Sequence, residues 1–128
     1  MPNGRILVVD DEPFILRSLM YLFEREGFEV FSAIDGAEAL ERVLEHRPGL
    51  VFLDIMMPGR DGYEVCRAIK NDPELRDTHV VMLTAKGREA DRRRGLAAGA
   101  DDYVTKPFSP TRIVEMARAI LGASPAKP

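Results

Sequence analysis

Two stretches, RILVVD at 5–10 and LVFLD at 50–54, carry four apolar residues in succession with no polar alternation and then close on an acid. A strand that is apolar on both faces has to be covered on both, as in a parallel sheet layered by helices. The acid that ends such a strand stands at the carboxyl edge of the sheet, where ligands bind in open α/β folds. It is half desolvated there, so leaving it without partners is costly. Pro58-Gly59 forces a turn shortly after Asp54.

The rest of the chain supplies matching elements. Pro13 suits the first position of a helix because it has no N–H to satisfy, and Ile15, Leu19 and Leu22 recur at helical spacing up to Glu26 and a stop at Gly27. A shorter, more polar strand over Glu29 to Ala33 belongs at a sheet edge. Asp35 with Glu38 has the capping-box spacing and opens a helix through His46; Asp61 with Glu64 repeats it for a helix to Asn71. Residues 79–85 (HVVMLTA) form a fourth strand that finishes at Thr84. A weaker helical segment at 88–98 holds Arg92, Arg93, Arg94 and Gly95. That glycine costs about 1 kcal/mol relative to alanine, which makes this the loosest helix of the set. A fifth strand covers 101–105, Lys106-Pro107 follows as a candidate cis bond, and Ser109 caps a helix from Pro110 to Leu121. Residues 122–128 read as a flexible tail or the start of a linker, which leaves 1–121 as one domain. Alternating strands and helices with no internal repeat predict an α/β fold: a parallel sheet, right-handed crossovers, and helices on both faces.

Composition restricts the function class. The 128 residues hold 18 basic and 21 acidic side chains, a net charge of −3, so nothing points to nucleic-acid or membrane binding through the whole surface. The single cysteine, Cys66, excludes an internal disulfide and speaks against a structural zinc site; set among Val65 and Ile69 it reads as buried and inert. No signal peptide and no membrane-length apolar run occur, which fits a reduced, cytoplasmic compartment.

The polar residues at the strand ends are Asp10, Asp11, Asp54, Thr84 and Lys106, and a parallel sheet brings all of these ends to one edge. Three carboxylates in one crevice repel, and a divalent cation relieves them; an all-oxygen donor set favours Mg²⁺ over zinc. With Mg²⁺ and Lys106 the formal charges cancel, yet an anion still meets a cation and an ammonium. Phosphoryl transfer needs this equipment: an oxygen nucleophile, for which Asp54 is the candidate, a metal, and fixed donors in Thr84 and Lys106.

Four pieces in order, VVDDE at 8–12, LDIMMPGRDGYE at 53–64, LTA at 83–85 and GADDYVTKPF at 99–108, make residues 5–121 resemble the CheY-like receiver domain of bacterial two-component response regulators. The resemblance implies a flavodoxin-like (βα)5 fold with strand order 2-1-3-4-5. It implies that Asp54 is phosphorylated from a phosphohistidine on a sensor histidine kinase or histidine phosphotransfer protein. Asp11, Asp54 and the Met56 carbonyl would then ligate Mg²⁺ directly, and Asp10 through water. Thr84 and Tyr103 match the family's switch pair and Lys106 its lysine. Phosphorylation would change the surface made by the helix at 88–98, the strand at 101–105 and the helix at 110–121, where a downstream effector or a second copy of the chain would bind. Such domains catalyse their own phosphorylation and dephosphorylation, but the output is altered binding.

Each residue also has a bland role: Asp10 to Glu12 as helix caps, Asp54 as a turn acid, Thr84 and Tyr103 as strand packing, Lys106 and the three arginines as surface charge. Two other functions compete. A Mg²⁺-dependent aspartyl-phosphate phosphohydrolase usually carries a second acid two residues beyond its nucleophile, where this chain has Met56. A flavodoxin-like nucleotide or flavin binder needs a Gly-rich loop after the first strand, where Asp-Asp-Glu-Pro stands.

Overall fold

A computed structural model describes residues 4–55, 61–85 and 89–122. Within them β1 (Arg5–Val9), β2 (Glu29–Ala33), β3 (Leu50–Asp54), β4 (His79–Ala85) and β5 (Asp102–Lys106) alternate with α1 (Pro13–Arg25), α2 (Gly36–His46), α3 (Gly62–Asn71), α4 (Glu89–Ala97) and α5 (Pro110–Leu121). All pairings are parallel, in the order β2-β1-β3-β4-β5. The two unbroken apolar runs lie where their composition requires: β3 is buried throughout and β1 from Ile6 onward. The more polar β2 forms one edge.

Alternate residues of each strand feed two separate cores. Leu7, Val9, Val51, Leu53, Val80 and Met82 pack with α2 and α3 through Ala39, Val43, Val65, Cys66 and Ile69. Ile6, Val8, Phe52, Val81 and Leu83 pack on the other face with Leu16, Leu19 and Phe23 of α1 and Ile113 and Ala117 of α5. Phe23 stacks on Phe52 at 5.2 Å between ring centres, which fixes α1 over the middle of the sheet. Truncating either ring to alanine costs about 3–5 kcal/mol.

Local chemistry sets the helix starts. Asp35 accepts the Glu38 N–H at 2.8 Å while Glu38 accepts that of Ile34 at 2.9 Å; Asp61 accepts Glu64 N–H at 2.9 Å, and Ser109 caps α5 through Arg112 N–H at 3.4 Å. Glu12, the last of the three acids after β1, caps α1 by accepting Phe14 N–H at 3.3 Å. Two sequence expectations need adjusting. The fifth strand runs over 102–106 rather than 101–105, because the Asp101 carboxylate takes the Val80 N–H at 2.8 Å and pairs with Lys70 Nζ at 2.6 Å, tying the strand's entry to α3. Lys106 is therefore a strand residue, paired with Ala85, while β4 covers 79–85 as expected. His46, the last residue of α2, is stacked on Phe31 at 3.8 Å. Among the described residues no helix is long and apolar enough to cross a membrane.

Candidate acidic site at the carboxyl edge

The strand order puts the ends of β1, β3, β4 and β5 side by side. Asp10, the residue after β1, is fully buried. Its N–H donates to the Ala33 carbonyl at 3.1 Å, one carboxylate oxygen accepts Glu12 N–H at 2.9 Å, and the other accepts Lys106 Nζ at 3.0 Å. Asp11 is exposed beside it. Asp54 ends β3 with only 6% exposure, and its Oδ2 lies 3.6 Å from the same Lys106 Nζ. One ammonium from the last strand thus bridges carboxylates from the first and third. The Lys106-Pro107 bond that follows is cis.

Carboxylate oxygens of Asp10, Asp11 and Asp54 all lie within 4.8 Å of one another. Three carboxylates against one ammonium leave a formal charge of −2 in a pocket two of whose acids are nearly dry. Such an all-oxygen group suits a hard divalent cation. Both oxygens of Asp10 already hold a donor.

Thr84 is buried on β4, one residue beyond the pairing partner of Asp54, which is Leu83. Tyr103 on β5 pairs with Met82 and is half-buried against the α2–α3 core. Met56 lies outside the described residues. Of the remaining expected positions, Asp10, Asp11, Asp54, Thr84 and Lys106 fall at or just past the carboxyl ends of neighbouring strands, whereas Tyr103 is the second residue of β5.

Two features escaped the sequence reading. Gly62, first residue of α3, lies against the strand that ends in Asp54: a Cβ built there would stand 2.6 Å from the Asp54 carbonyl oxygen and 3.0 Å from Ile55 Cα. Only a glycine lets the helix begin this close, and its N–H donates to the Ile55 carbonyl at 3.2 Å. The available signal was a glycine at a helix start, directly after the Asp61 cap, where propensity asks for none. The second is in the arginine run, read as solvated: Arg93 and Arg94 are exposed as expected, but Arg92 is half-buried, and Arg92 and Arg94 also lie over tyrosine rings at 4.8 and 4.1 Å. Cys66 is buried as expected, and burial pushes its thiol up to about 11, with Lys70 opposing the rise.

Comparison with known proteins gives a consistent result. The chain is 50% identical over 117 residues to the transcriptional regulatory protein ResD of Bacillus subtilis (strain 168), covering 91% of this chain and 48% of ResD. It is 46% identical over 122 residues to the alkaline phosphatase synthesis transcriptional regulatory protein PhoP of the same organism, covering 95% of this chain and 50% of PhoP. The chain thus spans about half the length of these curated relatives. The crystal structure of a putative response regulator from Chloroflexus aurantiacus superposes with a TM-score of 0.87 at 34% identity, over 94% of this chain and 98% of that one. Residues 6–118 match the family model of the response regulator receiver domain. A match of that extent, on a sheet of this strand order, makes the chain a member of the response regulator receiver domain family of two-component systems.

Proposed function

We propose that Asp54 accepts a phosphoryl group from a phosphohistidine on a sensor histidine kinase or histidine phosphotransfer protein, in a Mg²⁺-dependent reaction that shifts the α4–β5–α5 surface and so changes partner binding. The observation that carries this is the Lys106 ammonium, 3.0 Å from Asp10 and 3.6 Å from Asp54 in an otherwise acidic pocket. A lone acid in a turn needs no such bridge from the far strand.

An Asp54 oxygen supplies the electron pair to phosphorus while the pair of the broken P–N bond stays with the donor imidazole, giving an acyl phosphate. Lys106, already within ion-pair distance of the nucleophile, holds the added negative charge as a point charge. Thr84 offers a hydroxyl donor from the adjoining strand, and its movement toward the phosphoryl group draws Tyr103 inward. Asp11 and Asp54, with Asp10 behind them and the Met56 carbonyl as a further ligand, would hold Mg²⁺, which would supply positive charge against the transferring oxygens.

Residues 1–121 serve as the receiver unit and 122–128 as tail or linker. The partners are the phosphodonor protein, a downstream effector and a second copy of the chain; one free, buried cysteine suits a cytoplasmic setting. Incubation with acetyl phosphate and Mg²⁺ tests the reading: the wild-type chain takes up one labile phosphoryl group, and Asp54→Asn or a chelator abolishes uptake. Persistent labelling of Asp54→Asn would move the acceptor elsewhere.

A further inference from the structure

The helix α4 is seated unlike the other four. Gly95 is the only buried residue among its described positions, and Leu96 is 44% exposed. Gly95 lies flush on β4: a Cβ built there would stand 3.3 Å from Met82 Cγ. The helix therefore meets the sheet with its backbone, not with an apolar stripe. Two guanidinium–ring contacts add to that hold. Arg94 Cζ lies 4.1 Å from the centre of the Tyr63 ring on α3, and Arg92 Cζ lies 4.8 Å from that of Tyr103 on β5.

Arg92 is the more constrained of the two. One terminal nitrogen meets Glu89 at 3.2 Å, while its Nε is enclosed without a hydrogen-bond partner. An enclosed donor with no acceptor costs free energy, so this arginine is kept in place by the ring and Glu89 against an opposing term. Tyr103 pairs with Met82 and Thr84 with Thr105, so Tyr103 and Thr84 stand on one face of the sheet, a pleat repeat apart. A Tyr103 ring that moves toward Thr84 leaves its place beneath Arg92.

We propose that Arg92 is a latch on Tyr103: the guanidinium stacked on the ring favours the unphosphorylated arrangement of α4 and β5, and the phosphorylated arrangement is reached by giving that contact up. The latch presupposes the switch roles of Thr84 and Tyr103 proposed above. Arg92 touches no reacting atom; it is a positioning residue that sets the balance between two states. Loss of one partly exposed cation–ring contact raises the minor state about two- to fivefold.

The test uses the full chain with ring-¹³C tyrosine, whose three residues, Tyr21, Tyr63 and Tyr103, give separate NMR reporters. Acetyl phosphate labelling in Mg²⁺ is followed in parallel. Without phosphodonor, Arg92→Ala should move the Tyr103 resonance toward its phosphorylated position and raise the labelling rate about two- to fivefold. Arg92→Lys, which keeps a cation over the ring, should move it less. Arg94→Ala removes the other ring contact and should leave Tyr103 near its wild-type position. An unmoved Tyr103 with an unchanged labelling rate in Arg92→Ala overturns the latch. So does an equal response in both alanine variants, which would report general loosening of α4. A wild-type chain that takes no label removes the switch reading itself, and the latch with it; a wild type that labels while Arg92→Ala behaves identically removes the latch alone.

Discussion

Lys106→Ala removes the only positive charge that the described residues place between Asp10 and Asp54, and its cost is calculable from the geometry. At an effective dielectric of about 20, charges 3.0 and 3.6 Å apart attract by roughly 5 kcal/mol each. Most of that gross attraction is offset by the water the ammonium regains. The net cost of breaking a buried pair is about 3–5 kcal/mol. The lysine side chain is a quarter exposed, whereas Asp10 is fully buried, so the lower end, about 3 kcal/mol, applies. In a domain of this size that lowers Tm by roughly 12 °C. Urea and thermal unfolding followed by circular dichroism, with and without Mg²⁺, measure it. The metal-free variant should lose about 3 kcal/mol, and Mg²⁺ should stabilise it more than the wild type, because the cation answers the same uncompensated acids. A variant as stable as the wild type and indifferent to Mg²⁺ would show that these carboxylates do not repel as placed, and the electrostatic basis of the site would fail.

Gly62→Ala puts a Cβ 2.6 Å from the Asp54 carbonyl, so the strand tip or the helix start must move; stability should fall by about 2–3 kcal/mol in urea titrations, and phosphoryl uptake should slow. Thr84→Ala should bind Mg²⁺ as the wild type does by calorimetry, yet shift the Tyr103 NMR signal less on phosphorylation. The Cys66 thiol, raised to about 11, should resist thiol reagents at pH 8 in the folded chain and react once unfolded. Because the folded thiol keeps its proton while the unfolded one releases it above its ordinary value near 9, stability tied to Cys66 is intact below pH 9. It should decline by about 2–3 kcal/mol as pH rises toward 11, a slope absent in Cys66→Ala.

The strands that build the site were legible because their code is simple. Leu50 to Leu53 have no polar alternation, so both faces had to be covered, and β3 is buried at every position. Capping pairs Asp35–Glu38 and Asp61–Glu64 are local, three residues apart, and both helices start where those pairs placed them. Less legible was whatever depends on a partner distant in sequence. The start of β5 shifted by one residue because Asp101 is engaged with Val80 and Lys70, neither of which its own segment reveals. Arginines at 92 and 94 looked like solvent charge, since no periodicity encodes a ring on another element. Gly62 drew no attention in the sequence, and its requirement appears only once the Asp54 carbonyl is beside it. The gathering of Asp10, Asp11, Asp54 and Lys106 was anticipated from topology, whereas the direct Lys106 bridge between Asp10 and Asp54 had to be seen.

The most direct measurement is to locate the phosphoryl group itself. After incubation with acetyl phosphate and Mg²⁺, borohydride reduces an aspartyl phosphate to homoserine, and peptide mass spectrometry then reads the altered position. Homoserine at position 54, and at no other acid, is the expected result. Reduction at Asp10 or Asp11, or a phosphoryl group that survives borohydride on some other side chain, would contradict the assignment of Asp54 as acceptor.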